Sequence, residues 1–220
     1  MLRMDESHQY WWGDTYVPGV NEILRATGLV NTDYFTEEGA ARGKRRHLLV
    51  EDYDKGEADW DGLDPDDSHI LIGYQEFLEE TGFVVQANEL PLYHPVFHYA
   101  GTLDKVGVLD DKTTVLDVKT GSSVGPWAKI QVALYALAYA HTFDSPIPRM
   151  GILHLRKAKK RQYSWKPISE PYIVESAISI VETYHWQQGN WGVIATMHAM
   201  RQDWIDDLER ELDGSNKSQG

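Results

Sequence analysis

The sequence predicts an α/β (α+β) fold in which a mixed central β-sheet is flanked by helices. Three observations predict it. Helical patterning fills the first third of the chain and stops at Gly82. From Phe83 to Lys119 the pattern becomes that of strands, in three runs parted by turn residues. A strongly helical segment, Trp127 to Phe143, is then followed by another apolar strand run and a further helix. Helices, a strand meander, a helix, strands and a helix, in that order, suit a sheet covered by helices.

Val20 to Thr27 reads as a short helix stopped by Gly28. Thr36 can cap the next helix, and Glu37 and Glu38 suit its positively polarised first turn. That helix carries Ala40 to about Lys55 and ends at Gly56. A polar loop, Glu57 to Asp67, leads to a third helix from Ser68 to Glu80. Phe83 to Tyr93 is the first strand, with a bend expected at Pro91 because proline cannot donate to a ladder. Tyr99 to Val108 is the second, Asp110-Asp111-Lys112 its turn, and Thr113 to Lys119 the third. Trp127 to Phe143 carries apolar residues at Ile130, Leu134, Leu137 and Ala138, at helical spacing. Met150 to Leu155 is a short strand, and Lys157 to Arg161 a basic hairpin turn leading to Tyr163-Ser164-Trp165. Glu175 to about Met197 reads as a long helix weakened by Gly189 and Gly192, and Trp204 to Leu212 as a final amphipathic helix.

The 220 residues fit one domain, expected over 1–213, with 214–220 a disordered tail. The 42% hydrophobic and 25% charged fractions allow a core without covalent staples. Absence of cysteine excludes disulfides, Cys-ligated zinc and iron–sulfur clusters, and favours a cytosolic-type protein. No run reaches the length of a membrane helix, and no apolar segment follows the first residues as it would in a signal peptide. A net charge of −13 speaks against a generally cationic surface. The cations are nevertheless clustered, at Arg42, Lys44, Arg45 and Arg46 and again from Arg156 to Arg161. Either cluster can be a solvated face or an anion contact.

The most informative stretch runs from Gly101 to Tyr135. Asp104 follows Gly101-Thr102-Leu103 near the end of a predicted strand. Asp117 and Lys119 lie on the next strand with Val118 between them, so they share one face while Val118 turns into the core. Charges on a core strand must be paired or bound. A structural ion pair would satisfy that demand, and so would a metal site. His47 and Glu51 are one turn apart on the second helix, as are Gln131 and Tyr135 on the helix after the third strand.

Each element alone has an ordinary explanation. Their order and spacing resemble the PD-(D/E)xK nuclease superfamily and, within it, the RecB-like exonucleases. The resemblance runs from about Pro18 to Leu155. It implies a restriction-endonuclease-like core and a deoxyribonuclease dependent on one or two Mg²⁺ or Mn²⁺ ions, without an iron–sulfur cluster. It implies that Asp104, Asp117 and the Val118 carbonyl hold a metal, that His47 joins them, and that Glu51 binds a second ion or orients its water. Gly101 would let the backbone turn close to Asp104. Lys119 would position the attacking water and offset charge on the phosphate. A general-base role would need a lowered pKa, and neighbouring carboxylates push the other way. Gln131 and Tyr135 would orient Lys119 or contact a phosphate, with Glu89 as outer support. Asp117 stands where many members have Glu, a longer arm that would place the metal differently.

The substrate implied is DNA, at linear ends or single strands, with Arg42, Arg45, Lys159 and Arg161 as candidate contacts beside Tyr163 and Trp165. Recombination, repair or replication in a phage or bacterial setting, in the host cytoplasm if phage-encoded, is the expected context. A homo-oligomer is compatible, though nothing in the sequence specifies a closed ring. Two other readings stay open: a structure-specific endonuclease on the same site, and a catalytically idle DNA-binding module.

Overall fold

The structure is a computed structural model that describes residues 1–31, 36–158, 160–170 and 172–202. The expected helix Trp204–Leu212, the tail and Lys159 lie outside the described residues. Eight strands and five named helices follow one another as β1 (Leu2–Met4), β2 (Tyr10–Trp12), β3 (Thr15–Val17), α1 (Val20–Ala26), α2 (Glu37–Lys55), α3 (Ser68–Thr81), β4 (Val84–His94), β5 (Tyr99–Leu109), β6 (Lys112–Lys119), α4 (Trp127–Thr142), β7 (Arg149–Leu155), β8 (Tyr163–Ile168) and α5 (Tyr172–Gln187).

The central sheet has the order β4-β5-β6-β7-β8 and is mixed as expected. Only β6 and β7 run parallel, and the chain crosses between them through α4. The β5–β6 hairpin closes on Asp110 and Asp111, both with positive φ (49° and 59°), the backbone that a tight two-residue turn demands. That turn fixes the register that brings Asp104 towards Asp117. Pro91 does not break β4, which runs on through the Pro91–Thr102 pair; the irregularity falls earlier, between Val85 and Ala87.

Each sheet face has its own core. Val20, Ile23 and Leu24 of α1, much of α4, and Ile173, Ala177 and Val181 of α5 pack on one face. Val50 of α2 with Ile70, Tyr74 and Phe77 of α3 pack on the other. The α4 helix is apolar nearly all round because it is wedged between the sheet and α5. The α2 ends match their sequence signals: Thr36 accepts from the Gly39 N–H at 3.1 Å, and Gly56 closes the helix at φ 73°.

Two expectations need correction. The helix read through Met197 stops at Gln187; Gly189, at φ 71°, takes the left-handed backbone, and residues 191–202 are helical again. The first 17 residues also form an antiparallel three-stranded sheet, β1-β2-β3, that the sequence reading left unassigned. Its strands are three residues each, too short for alternation to register.

Among the described residues no helix is long and apolar enough to cross a membrane.

Candidate active site

The site begins where β5 and β6 part. Their ladder reaches Lys105–Leu116, and beyond it the Asp104 carboxylate accepts the Val118 N–H at 2.7 Å. Asp104 is therefore mid-strand, not at a strand end, and its side chain satisfies a core-strand amide that would otherwise need a backbone partner. Gly101 is also within the strand. A Cβ there would lie 2.6 Å from the Tyr135 ring and 3.1 Å from Val20, so this glycine admits an aromatic ring and does not turn the chain.

Two groups of side chains meet at Asp104. In the first, His47 Nδ1 lies 3.7 Å from Asp104 Oδ2, and Glu89 brings a carboxylate oxygen into the same 4.8 Å cluster. Glu51, one turn beyond His47, lines the same cleft and pairs with Lys55 at 2.7 Å. In the second, Lys119 Nζ donates to Asp117 Oδ1 at 2.9 Å and to Gln131 Oε1 at 2.7 Å, and sits 5.0 Å above the Trp127 ring. Gln131 is held in turn by Asn21 Oδ1 at 2.7 Å and lies 3.4 Å from the Tyr135 hydroxyl. The structure thus gathers Glu51, Asp104, Asp117, Lys119, Gln131, Tyr135, His47 and Val118 around one seam.

Asp117 is 1% exposed. Burial pushes its carboxyl above the usual range, while the Lys119 ammonium pulls the other way. Lys119 Nζ also lies 2.8 Å from Oδ2, so one ammonium spans both oxygens of this buried carboxylate.

Glu89 was only a supporting candidate in the sequence, and it is more central than that. It falls between the Asn88–Lys105 and Leu90–Leu103 pairs, opposite Asp104, in a left-handed backbone at φ 47°. A non-glycine residue in that conformation is uncommon and turns its side chain off the ladder. The residue as a whole is exposed, yet its carboxylate faces the cleft. Burial of that carboxylate, with the Asp104 charge beside it, pushes Glu89 up to about 7. Folded protein then keeps a proton that the unfolded chain releases near 4.5, so stability falls as pH rises from about 4.5 to 7. A pH series of urea midpoints in chelator should show this slope flattened in Glu89→Gln; equal slopes would mean that the carboxylate is free in the native state. No simple pattern in the sequence marks Glu89, because its role comes from a backbone twist. Asn21 and Trp127 were missed because their partners lie on other elements.

The candidate DNA contacts fare differently. Arg45 is bound to the buried Asp67 carboxylate at 2.6 Å, with Arg46 on the other oxygen and also donating to the Thr120 carbonyl at 2.9 Å. These two arginines tie α2 to the start of α3 and to the end of β6. Arg42 pairs loosely with Glu38 at 3.8 Å, and Arg161 pairs with Glu80 at 2.6 Å.

No protein-family model matches the chain, and no curated protein is similar to it. Among solved structures it is similar to an alkaline exonuclease from Laribacter hongkongensis, with 12% identity over 82% of this chain and 92% of that one and a TM-score of 0.41. For the same exonuclease in complex with dAMP the identity is 12%, the coverage 90% and 94%, and the TM-score 0.37. A protein from Eubacterium rectale, provisionally described as an exonuclease, gives 12% identity, coverage of 81% and 73%, and a TM-score of 0.46. Identity this low leaves the chemistry to be read from the residues.

Proposed function

We propose that the chain is a metal-dependent deoxyribonuclease of the PD-(D/E)xK type, acting as an exonuclease on linear DNA. The observation that carries this reading is that Asp104, bound to the Val118 amide, lies beside both the Asp117–Lys119 pair and the His47–Glu89 group at one seam of the sheet. A structural ion pair alone explains Lys119 and Asp117. It does not explain the His47–Glu89–Asp104 cluster beside it.

The residues fit a hard divalent cation such as Mg²⁺ or Mn²⁺. Asp104, Asp117 and the Val118 carbonyl would hold it, with His47 or Glu89 completing the set and Glu51 serving a second ion. Bound there, it would supply charge neutralisation at the phosphate and a more acidic water. The protein does the rest. Lys119, fixed between Asp117 and Gln131, presents an ammonium to the phosphate oxygens and to the attacking water. Gln131 spends its own amide on Asn21, so Lys119 is aimed by a relay that reaches α1. The chemistry is hydrolysis: water adds to phosphorus, and a sugar oxygen leaves and takes a proton.

The test is cleavage of end-labelled single-stranded and duplex DNA beside a covalently closed circle, with Mn²⁺, Mg²⁺ or EDTA. Metal-dependent loss of the linear substrates alone is expected. Cutting of the circle would make the protein an endonuclease, and DNA binding without any cleavage would make it an idle module. A role in recombination or repair, phage or bacterial, remains part of this proposal, as does DNA as the partner.

A further inference from the structure

The β1-β2-β3 sheet is not a loose end. Tyr10 on β2 reaches across to Thr102 Oγ1 at 2.9 Å, two residues before Asp104. Pro18 accepts the Ala100 N–H at 2.9 Å, and Gly19 bridges to Ala100. Between this small sheet and α1 lies an open groove of about 710 Å³, within the roughly 300–1,000 Å³ range of ligand pockets. Its floor is Gly101 and Tyr135. The Tyr135 hydroxyl neighbours Gln131, which holds Lys119, so the groove opens onto the candidate chemistry.

Asp5 fixes the β1–β2 turn by accepting from the Ser7 and Gln9 N–H groups at 2.9 and 3.0 Å and from Trp11 Nε1 at 3.0 Å. In that turn His8 sits in the left-handed backbone at φ 59°. Among the described residues, none bonds the side chains of His8 and Gln9. Arg25 spends Nε on the Asn21 carbonyl at 3.1 Å, and among the described residues no carboxylate pairs with its terminal nitrogens. Glu22 is the one acidic side chain in the lining, and it accepts from the Tyr16 and Tyr184 hydroxyls. That contact anchors the Tyr16 ring at the groove edge.

We infer that this groove receives the nucleobases of a single DNA strand next to the phosphate held at Asp104 and Lys119. The inference rests on the nuclease reading above. An amide, an imidazole, phenol rings and one guanidinium suit the edges and faces of bases, whereas a backbone track would need several cations. Bases paired and stacked within a duplex cannot offer their faces to Tyr16, so the groove selects unpaired strand.

The test uses the full chain and an oligonucleotide carrying 4-thiothymidine beside the scissile bond, photo-crosslinked in EDTA to stop cleavage. Crosslinks within residues 8–16 are expected. Tyr16→Ala and Gln9→Ala should each raise KM for single strand, Tyr16→Ala by about tenfold, with kcat moved far less. Among the described residues the Gln9 side chain has no hydrogen-bond partner to lose, so its variant separates binding from misfolding. Active wild type with crosslinks elsewhere, and unchanged KM in both variants, overturns the groove and leaves the nuclease. Wild type that crosslinks at residues 8–16 but never cuts overturns the nuclease and leaves the groove. Neither crosslinking nor cleavage overturns both.

Discussion

Replacing Lys119 with methionine is expected to lower kcat for DNA hydrolysis by roughly 10²–10³-fold, the cost of losing one oriented donor to a developing oxyanion. KM should change little, because the same ammonium faces ground state and transition state but matters more in the latter. Lys119→Arg should not restore the rate. A planar fork cannot occupy the pocket between Asp117, Gln131 and the Trp127 ring as a compact ammonium does. The variant also leaves Asp117 buried without its partner, so its thermal midpoint must be measured alongside. Loss of rate in a variant still folded at the assay temperature assigns Lys119 to the chemistry. A rate within threefold of wild type would remove it from the mechanism.

Lys105→Met should cost about 3–5 kcal/mol, the range for breaking a buried ion pair from one side. Lys105 is 3% exposed and donates to Asp54 and to Asn88 Oδ1, the latter at 2.7 Å, while its ammonium lies 4.9 Å above the Tyr74 ring. Burial drives its pKa down, against the pull of Asp54. The Asp54 side chain is largely enclosed as well and also accepts from the Tyr74 hydroxyl at 2.8 Å. The stranded carboxylate causes the loss, so Lys105→Met with Asp54→Leu should recover most of it in urea unfolding. If the double variant is as unstable as the single, the damage is packing and not charge. Asp54 follows His47 and Glu51 at helical spacing, so this pair also sets how close α2 brings them to the sheet.

The sequence made the central sheet legible because its strands are long enough for alternation to show, and because Asp110-Asp111 marks the hairpin. It made Asp104, Asp117, Lys119, Gln131 and Tyr135 legible because each sits at fixed spacing on one regular element. Glu89 escaped, since a single left-handed residue redirects it and no periodicity records that. Lys105 was hidden beside Asp104, where a charged residue on a strand looks like a solvated one until α2 covers it. The N-terminal sheet is held by Tyr10 and Pro18 to residues about ninety positions away, a pairing that local pattern cannot express. Arg45 reads as a candidate DNA contact, but it shares with Arg46 the partner Asp67, which lies in what reads as a plain polar loop.

The Asn21–Gln131 hydrogen bond joins residues 110 positions apart in the chain. Contacts that distant form late, after the entropy of closing a long loop has been overcome. Lys119 precedes Gln131, so a chain that stops short of α4 has no Gln131 to aim its ammonium. A partly made chain therefore carries the acidic residues without an oriented ammonium. On the nuclease reading proposed above, fragments ending before α4 should be inert even where their hairpin is intact.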